Sequence, residues 1–109
     1  MYSQLIGAIS VFFLIATTTC ALVQNRPGDW ASGRAAVERL CSNCHVVSPD
    51  NAPSLRGDVP SFMTIARLPS TTPERLAGAI IMPHPAMPGV ALTRAELRDV
   101  IADIMSLQQ

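Results

Sequence analysis

Apolar residues recur at three- and four-residue spacing in several stretches of this chain, and no run alternates as a half-buried strand would. Gly33, Ala36, Val37 and Leu40 form one such stripe, with Arg34, Glu38 and Arg39 on its flanks, which predicts a helix from Gly33 into the segment at Cys41. A glycine inside a helix costs about 1 kcal/mol against alanine, so Gly33 asks for a reason such as the close approach of another helix. Ser61 to Ala66 is short and apolar, enough for one or two helical turns. Thr72-Pro73-Glu74 reads as an N-cap, a proline at the first helical position and an acidic first turn, opening a helix to about Ile81 whose Leu76, Ala77, Ile80 and Ile81 face inward. Thr93 and Glu96 form a capping box that starts a last helix to about Leu107, with Leu97, Val100, Ile101, Ile104 and Met105 as its buried stripe. Proline and glycine break the segments between, Ser48 to Gly57 and Met82 to Gly89, so the pattern predicts short helices joined by Pro-rich loops.

The first part of the chain differs in kind. Leu5 to Ala16 is an apolar run followed by Thr17-Thr18-Thr19-Cys20-Ala21, as in a secretory signal cleaved near Ala21. No charged residue occurs before Arg26, and the uncharged stretch from Leu5 to Val23 approaches the roughly 20 residues that span a bilayer, so an uncleaved anchor is the alternative. Cys20 is expected to be removed or inert, and Trp30 to be a surface or staple residue. The expected organisation is residues 1–21 as signal peptide or anchor, 22–32 as linker and 33–109 as one domain.

Composition narrows the function. Eight Arg balance eight Asp and Glu, with no Lys and no basic tract, which argues against nucleic acid as a partner. At 109 residues this is one small domain at most, and a core of that size is marginal without a staple.

Cys41-Ser42-Asn43-Cys44-His45 supplies a candidate staple, because C-x-x-C-H is the attachment signal for c-type haem. On a helical turn, side chains three apart share a face, so two thiols can reach one porphyrin edge while His45 points at the iron. A zinc site would need further ligands, and only Cys20 and His84 are available. A dithiol redox motif would expect a βαβ pattern, which is absent from the sequence.

With this motif on the first helix, a Pro-containing loop after it, Met87-Pro88 before the last helix and a capped C-terminal helix, Gly33 to Leu107 resembles class I cytochrome c of the small bacterial, periplasmic type. The resemblance implies an all-α small cytochrome c fold wrapped around one covalent haem c on Cys41 and Cys44, with His45 and Met87 as axial ligands. Met82 and His84 are the rivals of Met87. It implies that the terminal helices cross over Gly33, and that the carbonyl of Pro53 accepts the hydrogen bond of the ligand imidazole. The implied function is electron transfer between redox protein partners in the periplasm, not enzymatic catalysis. Membrane association would follow only from an uncleaved N-terminus, leaving the domain anchored to the inner membrane and facing the periplasm. The alternatives are a haem subunit of a membrane oxidoreductase complex, or a peroxidase-like or gas-binding haem protein with an open axial site. The chain departs from the family at Ala102-Asp103-Ile104, where an aromatic is usual. Asp103 projects just outside the apolar arc, so it is expected at the rim of the helix crossing, where it could pair with Arg34 or Arg39. An aromatic in its place would then be stabilising.

Overall fold

The computed structural model describes residues 26–50 and 57–109. The expected signal peptide, the start of the linker and Pro53 therefore lie outside the described residues. Four helices follow one another, α1 Trp30–Leu40, α2 Phe62–Arg67, α3 Pro73–Ile81 and α4 Arg94–Ser106, and the described residues contain no strand. None of these helices is long and apolar enough to cross a membrane.

Each helix begins where a side chain can satisfy the free N–H groups of its first turn. Ser61 Oγ accepts from Thr64 N at 3.1 Å, and Thr72 Oγ1 from Arg75 N at 3.3 Å. At α4 the exchange is reciprocal, with Glu96 N donating to Thr93 Oγ1 at 3.2 Å and Thr93 N donating to Glu96 Oε2 at 2.8 Å. Helix α1 starts at Trp30, ahead of the expected Gly33, because Asp29 Oδ1 accepts from Ser32 N at 2.8 Å and so caps a turn that the Pro27-Gly28 pair disguised. Trp30 itself is exposed.

Among the described residues, helices α1 and α4 make the most extensive contact between elements, and two glycines permit it. A Cβ added at Gly33 would overlap the Asp99 carbonyl and stand 3.1 Å from the Cβ of Asp103. A Cβ added at Gly28 would overlap the Arg98 carbonyl, and Asp29 N donates to Asp99 Oδ1 at 2.8 Å, so residues assigned to the linker already lie on α4. The crossing over Gly33 is as the resemblance implied.

The core, Ala36, Val37, Val47, Phe62, Ala66, Leu76, Val100 and Ile104, joins all four helices. Two expectations fail here. Ile81 is 65% exposed, because it lies about 140° around α3 from the buried Leu76. Asp103 is 0% exposed and lies within the crossing, not at its rim. Gly33 brings α1 down beside Asp99 and Asp103, giving α4 a second buried face next to the apolar face of Val100 and Ile104.

Candidate haem site

The end of α1 does not unwind at once. Cys41 N donates to Val37 O at 2.8 Å, and Cys41 O accepts from Cys44 N at 3.1 Å and from His45 N at 2.9 Å. One more helical turn therefore carries Cys41, Cys44 and His45, and all three line a cavity of about 260 Å³. The rest of its wall is mainly apolar, with Leu40, Phe62, Ile65, Leu76, Ile80, Val100 and Ile104 from the four helices. The loop between α3 and α4 supplies His84 and Met87.

His45 is 9% exposed and held from two sides. Its ring centroid is 5.1 Å from that of Phe62, and its Nδ1 lies 2.8 Å from the carbonyl oxygen of Pro60. A carbonyl can only accept, so the proton sits on Nδ1 and the lone pair of Nε2 is left for a metal. Among the described residues the acceptor for His45 is Pro60, whereas Pro53, to which the resemblance assigned that role, lies outside them. The physical reason is local: Phe62 N donates to Val46 O at 2.9 Å, which draws the start of α2, with Pro60 just before it, against the His45 turn.

The loop between α3 and α4 is shaped by a tight turn. Met87 N donates to His84 O at 3.0 Å, Pro85 occupies the first central position and Ala86 the second with φ 71°. This is a type II arrangement, in which the second central residue is normally glycine. Met82, by contrast, is 76% exposed and does not line the cavity. His84 and Met87 share the cavity wall.

Burial, and secondarily the Asp103 carboxylate, push the Cys41 thiol above its ordinary value. A redox-active dithiol needs the opposite shift, so the dithiol reading is disfavoured. Among the described residues no group of three or more His, Cys, Asp or Glu could hold a metal ion, and Cys20 lies outside them. Two thiols and an imidazole with a free Nε2, facing a mainly apolar cavity, do fit a covalently held haem.

Sequence reasoning missed Pro60 and the burial of Asp103; the expected pairing with Arg34 is present, with Arg34 Nη2 3.0 Å from Asp103 Oδ1. A carbonyl acceptor has no sequence signature, since every residue carries one. The Asp103 signal was present in Gly33, which marks the face of α4 that α1 covers.

No family model and no solved structure matches the chain. Among curated proteins, cytochrome c-552 of Bradyrhizobium diazoefficiens is 36% identical over 108 residues, 99% of this chain and 99% of that protein. An identity of that level over the whole length, together with the all-helical fold and the geometry at His45, shows that the chain belongs to the small bacterial class I cytochromes c.

Proposed function

We propose that this protein is a one-electron carrier, with haem c joined to Cys41 and Cys44 and ligated axially by His45 and Met87. The observation that carries it is the pairing of His45 Nδ1 with Pro60 O at 2.8 Å, which frees Nε2 in a cavity whose wall includes Met87. When bound, the haem supplies an iron centre that holds or releases one electron.

What the chain contributes is position, exclusion of water and electronic bias. The Pro60 carbonyl fixes the imidazole tautomer and strengthens His45 as a donor. The thioether of Met87 favours the reduced metal relative to a second imidazole, and the apolar wall disfavours added positive charge, so both raise the potential. If His45 and Met87 both held the iron, no position would be left for a substrate, which would separate an electron carrier from a peroxidase-like or gas-binding protein. Residues 1–21 act as an export signal, and the mature domain works in the periplasm between redox protein partners.

The ferric absorption spectrum tests the ligand pair. A Met-ligated haem gives a weak band near the red end of the spectrum; Met87→Ala is expected to abolish it and Met82→Ala to leave it. Retention of the band in Met87→Ala overturns the assignment.

A further inference from the structure

The chain leaves the Cys41–His45 turn through Val46 and Val47, which are not helical, so their carbonyls need partners from elsewhere in the fold. Val46 O accepts from Phe62 N at 2.9 Å, and Val47 O accepts from Arg34 Nη1 at 2.8 Å. Val47 is fully buried, so water does not take the place of the guanidinium there. The same guanidinium meets Asp103 on α4, with Nη2 3.0 Å from Oδ1, yet neither carboxylate oxygen accepts a hydrogen bond. The ion pair therefore holds Arg34 in place by charge, while its aligned hydrogen bond is directed at Val47. These bonds close on His45. The bond from Phe62 N to Val46 O brings Pro60 against the imidazole, where the Pro60 carbonyl accepts from Nδ1 at 2.8 Å. The two residues after His45 are thus tied on one side to the segment that orients its ring and on the other to Arg34.

We infer that Arg34 is a positioning residue for the axial ligand His45: by holding the carbonyl of Val47 it fixes the backbone that follows His45, and with it the hydrogen bond between His45 and Pro60. This rests on the haem-carrier reading given above. Arginine suits the task because its planar fork presents N–H groups at fixed separation, so one side chain can face Asp103 and donate to Val47 at the same time. With the Val47 carbonyl unheld, the segment after His45 can shift away from Phe62, and the Pro60 carbonyl no longer sits squarely on Nδ1. The imidazole then loses its fixed orientation and becomes a weaker donor to a metal.

The test removes the guanidinium from the intact, haem-loaded protein without leaving a buried charge unpaired. Asp103→Asn alone keeps Arg34 and its bond to Val47, whereas Arg34→Met combined with Asp103→Asn removes both charges. In Asp103→Asn the His45 Nδ1 proton, followed by NMR in the reduced protein, should exchange with solvent as slowly as in the wild type. In the double variant that proton is expected to lose its protection and the His45 ring signals of the oxidised protein to shift, while the red absorption band stays in place. Wild-type exchange and ring signals in the double variant overturn the inference. Equal changes in Asp103→Asn alone also overturn it, because they assign the effect to the ion pair and not to the bond with Val47. If the double variant fails to load haem, Arg34→Gln combined with Asp103→Asn, whose amide is too short to replace the fork, decides by the same two readings. Absence of covalent haem from the wild-type protein would instead overturn the carrier reading.

Discussion

Gly33 lies so close to Asp99 that a single added carbon would overlap the Asp99 carbonyl. The obstacle is backbone, which cannot rotate away as a side chain can. Ordinary helix propensity favours Gly→Ala by about 1 kcal/mol, but overpacking of this kind costs about 1 to 3 kcal/mol and here forces two helices apart. Gly33→Ala is therefore expected to lower stability, by about 1 kcal/mol or more after the propensity gain, in denaturant titration. An unchanged or higher midpoint would show that the α1–α4 crossing is looser than described.

Asp103 makes stability depend on pH in an unusual direction. Burial raises its pKa above 3.8, with Arg34 opposing the shift. The unfolded chain then releases this proton first, so the group's contribution is full below the ordinary aspartate pKa and declines as pH rises through the raised folded value. Asp29, Glu74 and Glu96 act oppositely: hydrogen bonds in their helix first turns lower their pKa values, so their contribution is lost as pH falls. Subtracting the profile of Asp103→Asn from that of the wild type isolates Asp103, and the difference should turn against the wild type as pH rises. A flat difference would mean that the carboxyl is not desolvated. Asp103→Tyr, which would stabilise a rim position, is expected here to lose about 3 to 5 kcal/mol, because it breaks a buried ion pair.

Ala86 holds φ 71° in the turn that presents Met87. An L-residue there costs about 1 to 2 kcal/mol, partly offset by the extra freedom glycine gives the unfolded chain. Ala86→Gly should accordingly raise the denaturation midpoint, by up to about 1 kcal/mol, whereas a β-branched Ala86→Val should lower it. If both variants behave alike, the turn is not held in this conformation in solution.

Much of the fold was legible because its signals are local. Thr72 and the Thr93–Glu96 box each declare a helix start within four residues, and both caps are present. The thiols and His45 were legible for the same reason, since one turn brings them to one cavity. What escaped was set by contacts distant in sequence. Asp29 fell within the expected linker, whereas its N–H donates to Asp99 on α4. An apolar stripe locates the core face of α4 but not the face that Gly33 allows α1 to cover, so Asp103 was placed at the rim. The acceptor for His45 depended on how the chain returns from the loop, which brings Pro60 to the ring.

The central claim is that Cys41 and Cys44 carry a haem in thioether linkage, and mass spectrometry of the exported protein tests it most directly. The account predicts one haem of added mass on a peptide containing Cys41 to His45, with both thiols blocked and a new N-terminus near Ala21. Free thiols at Cys41 and Cys44, or a haem that acid acetone extracts, would contradict it.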